Sequence, residues 1–387
     1  MPVERPEFIM APGPTEVPPE VLQAQLELPY HRGPRFGAVI QRCVDALQRI
    51  LFTKSDVLLF TGSGSLGMES AIVNLFSPGD RILVCDTGNF GERFVKIAKI
   101  YGIVPVVIEY EWGKNAKAKD VEKALADDPT LRAVLVQHSE TSTGIVNDVE
   151  AIGRVVKDKP QLFVVDGISG VGAAPLRLDE WGIDVLIGGS QKALMTPPGI
   201  AFVTVSDAAW KANEAATCPR FYADWETAKT SLALDPPETP YTPAVTIFRA
   251  FAKALEMVEQ EGIEAAWTRH AILGKATREG VKALGLDVQT EEADRACVLT
   301  AVVAPDGIDG AKISKHVREK HGIIFAPGQG RLKGKIFRIG HCGYYAPRDI
   351  LMGLVALEAS LQSLGYPVKE GAATGAAANV FRENGLA

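Results

Sequence analysis

Apolar runs of three to six residues recur through the first two-thirds of the chain, parted by amphipathic stretches, and this alternation restricts the possible folds more than any other feature. The runs fall at residues 57–60, 81–84, 104–108, 133–136, 162–165, 185–187 and 200–205. Amphipathic helical stretches lie between several of them, at 69–76, 90–101 and 149–157. A strand that is apolar without interruption has both faces buried, so the pattern predicts a mainly parallel sheet covered by helices on both sides. Ligands of such α/β sheets collect at the carboxyl ends of the strands.

Beyond residue 205 the pattern changes. A proline-rich stretch, 234–243, is followed by a long helix with Phe248, Phe251, Leu255 and Val258 on one face and Gly262 at its end. From about residue 265, helices alternate with strands such as 297–303, which reads as a smaller α/β domain. The expected division is therefore an arm at 1–20, a large domain at 21–264, a small domain at 265–366 and a tail at 367–387. Low complexity in residues 370–379 predicts a poorly ordered tail. A chain of 387 residues is long enough for a large domain with a smaller companion.

Charge and cysteine usage exclude several classes. A net charge of -6 provides no basic field for nucleic acid. The beginning of the sequence has no signal-peptide core, and no run approaches a membrane span. Five cysteines without a CxxC pair predict unpaired thiols in a reduced, cytoplasmic protein. Six histidines without ligand spacing predict no metal site.

The chemistry points to two strand ends. The run 162–165 ends on Asp166, and the run 185–187 opens into Gly188, Gly189, Ser190, Gln191 and Lys192, before Pro197, Pro198 and Gly199 turn the chain. Pyridoxal phosphate enzymes need such a pair: a lysine to hold the aldehyde and an acid to keep the pyridine nitrogen protonated. Gly62, Ser63, Gly64, Ser65, Leu66 and Gly67 follow the first strand and open a helix, a setting that suits a phosphate. The same six residues satisfy GxGxxG, with Asp86 ending the next strand, so a dinucleotide site competes. That alternative leaves Asp166 and Lys192 without roles. Phe90 is placed to stack on a flat ring, or to serve as a core phenylalanine. Residues 138–144 gather hydroxyls after a strand, for a ring hydroxyl or for a simple turn. Arg338, flanked by Phe337 and Ile339, requires an anion, whether a substrate carboxylate or an internal acid.

These segments, together with residues 11–14, 61–65, 88–91, 140–144, 165–169, 189–193, 197–199 and 337–340, resemble the class V aminotransferases of fold type I, within the alanine–glyoxylate and serine–glyoxylate (serine–pyruvate) branch. The resemblance runs from Ala11 to about Leu364. It implies a phosphate held by Ser63, Gly64, Ser65 and Gln191, and a ring stacked on Phe90 with Ile168 beneath. It further implies Thr141 at the ring hydroxyl, Asp166 at the ring nitrogen and Lys192 as the Schiff-base lysine. Arg338 becomes the carboxylate clamp, with Gly13 at the substrate. It also implies a homodimer in which the Tyr241 and Thr242 region reaches the neighbouring site, and an arm that packs on the small domain and the partner. Ser65 stands where mammalian relatives have histidine. Gln191 before the lysine, with no cysteine in 325–332, argues against a cysteine desulfurase.

The implied reaction is a ping-pong transfer from alanine or serine to glyoxylate or pyruvate, with Lys192 as the general base. Aspartate, ureidoglycine and pyridoxamine are alternative donors. A nicotinamide oxidoreductase and a non-catalytic subunit on the same fold are the more distant readings. One arginine accounts for one carboxylate, and Arg32 and Arg331 are the unplaced cations that bear on a dicarboxylate donor.

Overall fold

The computed structural model describes residues 7–291 and 296–386. Its strands, in chain order, begin with β1 (Phe8–Ile9), β2 (Asp56–Thr61), β3 (Arg81–Asp86), β4 (Val104–Glu109) and β5 (Leu131–Gln137). There follow β6 (Ser139–Glu140), β7 (Ile145–Val146), β8 (Leu162–Asp166), β9 (Val185–Gly189) and β10 (Ile200–Val205). The later part adds β11 (Leu299–Val303), β12 (Ile323–Ile324), β13 (Ala326–Pro327) and β14 (Ile336–Gly340).

Each apolar run of the first two-thirds is a strand of one seven-stranded sheet, ordered β2-β10-β9-β8-β5-β3-β4. Only β10 runs against its neighbours, β2 and β9. Alternation along the strands divides the sheet's side chains between two apolar layers. Leu59, Leu83, Val134, Phe163 and Leu186 join one layer with Phe36, Phe248 and Phe251 of the helices Pro34–Ile50 and Val245–Glu261. Leu58, Ile82, Leu135, Val164 and Ile187 join the other, with Met68 and Phe94 of the helices Gly64–Leu75 and Asn89–Ile100. Both faces are covered, as uninterrupted apolar strands require.

The small domain has its own sheet, β11-β14-β13, and its own core, in which Phe325, Phe337 and Ile350 meet residues of the helix Ile263–Ala283. The tail departs from expectation. Instead of being poorly ordered, it forms the helix Ala372–Glu383, which buries Ala373, Ala377, Val380 and Phe381 in the small-domain core. The alanines that lower sequence complexity are the best helix formers. Burying Val380 and Phe381 adds roughly 1.5–3 kcal/mol each, enough to hold an otherwise weak helix in place.

The arm stitches the two domains together. β1 pairs in parallel with β12, Gly340 donates its N–H to the Met10 carbonyl, and the Tyr345 hydroxyl bonds the Ile9 carbonyl. Further on, the Thr15 N–H reaches the Gln191 carbonyl at 3.2 Å. Among the described residues, no helix is long and apolar enough to cross a membrane, and no group of His, Cys, Asp or Glu is placed to hold a metal.

Candidate active site

Register explains where the polar residues meet. Asp86 of β3, Gln137 of β5 and Asp166 of β8 lie in one row, because Val84 pairs with Leu135 and Gln137 pairs with Asp166. Ile187 of β9 continues that row. They follow the apolar layer under the helices Gly64–Leu75 and Asn89–Ile100. Where that layer would continue at the carboxyl ends, three polar side chains replace it.

Asp166 is buried, and its carboxylate accepts the Ile168 N–H at 2.9 Å. Among the described residues it has no ion pair within 4.0 Å. Burial pushes its pKa up to about 7, against the Ile168 hydrogen bond. A carboxylate in that position lacks a cation, which a protonated ring nitrogen supplies. Ile168 lies under the neighbouring turn: a Cβ on Gly64 would stand 2.4 Å from its Cδ1. Only glycine lets the backbone come so close.

That turn starts the helix Gly64–Leu75, whose N-cap Ser63 makes no side-chain capping bond. The first N–H groups of a helix seek an acceptor, and an anion suits them. Gln191 is half-buried nearby, and its buried Oε1 has no partner among the described residues. Ser65 is not free: Arg93 Nη1 donates to its Oγ at 2.9 Å, with the guanidinium 4.5 Å over the Phe90 ring centroid. Arg93 has no ion pair among the described residues.

Lys192 occupies the turn after β9, with its carbonyl accepting from Met195 N–H at 3.0 Å and Thr15 Oγ1 at 2.9 Å. Its Nζ donates to the Pro12 carbonyl at 2.7 Å. Burial lowers its pKa, and the Arg338 charge lowers it further, opposed by Cys342, Asp166 and Glu140. The amine is thereby shifted toward its neutral, nucleophilic form. Gly13, at φ +139°, lies flush on the lysine, since a Cβ there would be 2.4 Å from Cδ.

Arg338 comes from β14 and is 4% exposed. Of the two alternatives the sequence leaves open, an internal acid is not its partner among the described residues. Nε and Nη2 donate to the Pro327 carbonyl at 3.1 and 2.9 Å, and Nη1 donates to the Thr141 carbonyl at 2.8 Å. Burial pushes its pKa down to about 10, opposed by the charge of Glu140. Three carbonyl bonds leave two of the five guanidinium N–H groups for a ligand.

Of the residues that the sequence singles out, the structure puts Gly64 on Ile168, Ile168 and Gln191 both beside Gly189, Ser65 and Phe90 both on Arg93, Thr141 on Arg338 and Gly13 on Lys192. Ser63 is the N-cap residue at the helix start, and Asp166 ends β8. Thr242 is exposed; its neighbour Ala244 donates an N–H to Thr61 Oγ1, and Tyr241 stacks on Tyr222. The competing dinucleotide acid, Asp86, turns inward and accepts the Gly88 N–H at 3.1 Å. Three contributors passed unnoticed in the sequence: Arg93, the Pro12 carbonyl and Glu140. Arg93 lies one helical turn after Phe90, and Glu140 directly precedes Thr141, so proximity to residues already singled out was the available signal.

The residues present fit pyridoxal phosphate: a buried acid without a cation, an uncapped helix start, a shielded amine and an arginine with two donors in reserve. Comparison with known proteins agrees. The class-V aminotransferase family model matches residues 8–332. The soluble hydrogenase small subunit of Synechococcus sp. (strain PCC 6716) is 41% identical over 97% of this chain and 98% of its own. The serine–glyoxylate aminotransferase of Methylorubrum extorquens is 35% identical over 98% of this chain and 97% of its own. The crystal structure of the ureidoglycine–glyoxylate aminotransferase from Bacillus subtilis superposes with a TM-score of 0.94 at 30% identity, covering 99% of this chain and 100% of that one. The chain therefore belongs to the class-V aminotransferases, enzymes of the fold type I architecture that work with pyridoxal 5′-phosphate.

Proposed function

We propose that this aminotransferase takes its amino group from a small neutral amino acid, alanine or serine, and delivers it to a short 2-oxo acid such as glyoxylate or pyruvate. The observation that carries this reading is the state of the arginines. Arg338 keeps two N–H groups for one carboxylate. Arg32 is paired with Glu238, and Arg331 with Glu92 at 3.3 Å while it covers Trp112. Arg93 is turned toward Ser65 and Phe90. Neither Arg32 nor Arg331, the two cations singled out for a dicarboxylate donor, is thus left over for a side-chain carboxylate.

In this reading Ser63, Gly64, Ser65 and Gln191 hold the cofactor phosphate, with Thr242 offered to a neighbouring subunit's site. Phe90 and Ile168 would pack against the ring, and Thr141 would meet its hydroxyl. When bound, pyridoxal phosphate supplies the aldehyde carbon for amino transfer and a ring that takes up electron density. Lys192, whose amine burial shifts toward its neutral form, would be the group that holds the aldehyde and, once free, would move the proton at the donor's Cα. Asp166 would keep a proton on the ring nitrogen, and Arg338 would hold the donor carboxylate. Pro12 and Gly13, lying on the lysine, keep water from that amine.

We infer also a homodimer in a reducing, cytoplasmic setting. Leu26 at 84%, Phe221 at 77% and Tyr30 at 69% exposed leave large apolar side chains on the surface, which association would cover. All five cysteines are free thiols, and four of them are buried.

The test is visible absorption of the purified enzyme with L-serine, L-alanine or L-aspartate added separately. Bleaching of the lysine-bound cofactor band by serine or alanine, and not by aspartate, is the expected result. Bleaching by aspartate alone would overturn the donor assignment.

A further inference from the structure

The helix Asn89–Ile100 carries Phe90 and Arg93 into the site, yet it does not cap itself: Gly88 at its N-cap offers no side chain. Its orphan N–H groups are taken by a loop some fifty residues further along. Asn89 N–H donates to Ser142 Oγ at 2.9 Å, and Phe90 and Gly91 N–H donate to Glu140 Oε2 at 2.9 and 3.3 Å. The other carboxylate oxygen, Oε1, accepts Ser142 N–H at 3.0 Å and Ser142 Oγ–H at 2.6 Å. Contact is so close that a Cβ on Gly88 would stand 2.5 Å from Ser142 Oγ and 2.6 Å from Glu140 Cδ. Glu140 is fully buried, and burial raises its pKa against four stabilising hydrogen bonds. The next residue, Thr141, gives its carbonyl to Arg338.

We propose that Glu140 is a positioning residue that sets Phe90 and Thr141 against Arg338, joining the cofactor side of the site to the donor side through one buried carboxylate. This rests on the proposed function. Four donors converge on Glu140, so both of its oxygens must accept. Glutamine keeps the shape but has one acceptor and one donor end. In Glu140→Gln, either the Phe90 and Gly91 N–H pair or the Ser142 pair then faces an NH2 group, and one side of the link opens. Ser142→Ala leaves the carboxylate and its three backbone N–H donors intact, and removes the hydroxyl that links Glu140 to the Asn89 N–H.

The experiment compares cofactor-loaded wild type, Glu140→Gln and Ser142→Ala in three measurements. These are the rate of cofactor loss on dialysis, the circular dichroism of the bound cofactor's visible band, and KM separately from kcat for alanine and serine. Expected for Glu140→Gln is roughly ten- to a hundred-fold faster cofactor loss, as for a removed charge-assisted hydrogen bond, a weakened dichroic band and a raised KM for both donors by one common factor. Ser142→Ala moves the same readouts in the same direction, by less, and decides the matter if Glu140→Gln does not fold. A lower melting temperature with unchanged dichroism, cofactor loss and KM would overturn the proposal, because Glu140 would then be only a helix cap. Wild type that retains no pyridoxal phosphate, or transfers no amino group, would instead defeat the functional reading beneath it.

Discussion

The two halves of the site are held in different ways. On the cofactor side, Asp86, Gln137, Asp166 and Ile187 sit in consecutive register positions, so the hydrogen bonds of β3, β5, β8 and β9 fix their spacing. On the donor side, Gly13, Thr141 and Arg338 come from an arm, a loop and a small-domain strand and meet Lys192, which both halves share, in contacts made mainly by carbonyl groups: Pro12 to Lys192, Thr141 and Pro327 to Arg338, Lys192 to Thr15. A sheet end cannot shift without breaking a ladder of backbone bonds. A carbonyl contact between domains can lengthen with a small domain movement. The contrast separates a fixed chemical half from an adjustable recognition half, and it accounts for a family in which named donors as unlike as serine and ureidoglycine share one architecture.

The sharpest break would come at the residue that belongs to both halves. Lys192→Ala should lower turnover by about 10⁴-fold, the upper range for a positioned general base, and remove the lysine-bound absorption band. Asp166→Asn comes next. It exchanges a buried charge for an amide, so turnover should fall on the order of 10²–10³-fold, equally for every donor, because the loss lies on the fixed half. Arg338→Lys discriminates the halves most directly. The forked geometry is lost while the charge stays, and kcat/KM should fall roughly 10- to 100-fold through KM, with cofactor retention unchanged. If retention fell as well, the two halves would not be separable. Gly13→Ala is milder: its Cβ would meet Lys192 at 2.4–2.6 Å and must adopt φ +139°, so about a ten-fold loss in kcat/KM is expected from overpacking.

The smallest effect concerns pH, and its sign differs between the halves. Burial is the main cause that holds the Lys192 amine below an ordinary lysine, and Arg338 adds to it while Asp166 opposes it. Removing the Arg338 charge, as in Arg338→Leu, raises the Lys192 pKa and lessens the neutral amine at a given pH. The pH at which cofactor attaches to Lys192 should then move up. With Asp166→Asn it should move down. Stopped-flow absorbance across a pH series checks both, and a shift of the same sign in the two variants would break the comparison.

The fixed half was also the legible one. Apolar runs marked the strands, and the carboxylate and lysine at their ends followed from local sequence, so Asp166 and Lys192 could be paired before any fold was known. The donor half was read as residues without its connections. Arg338 was seen to need an anion, but its Pro327 and Thr141 carbonyl partners depend on contacts 11 and 197 positions away. Glu140 was passed over for the same reason: its bond to Phe90 spans 50 positions, and no local pattern encodes it. Composition misleads at the tail, which is a helix packed on the small-domain core. Alanine repeats look unstructured until Val380 and Phe381 find the small-domain core.

The arm has one more consequence, in time instead of space. Its Ile9 carbonyl meets a hydroxyl 336 positions further along, and Pro12 meets Lys192 across 180. Contacts that close such long loops form late, because chain entropy must be spent before they contribute. During refolding, therefore, helix and sheet signals should recover first. Activity should lag behind them until the arm has docked on both domains and the lysine has been seated.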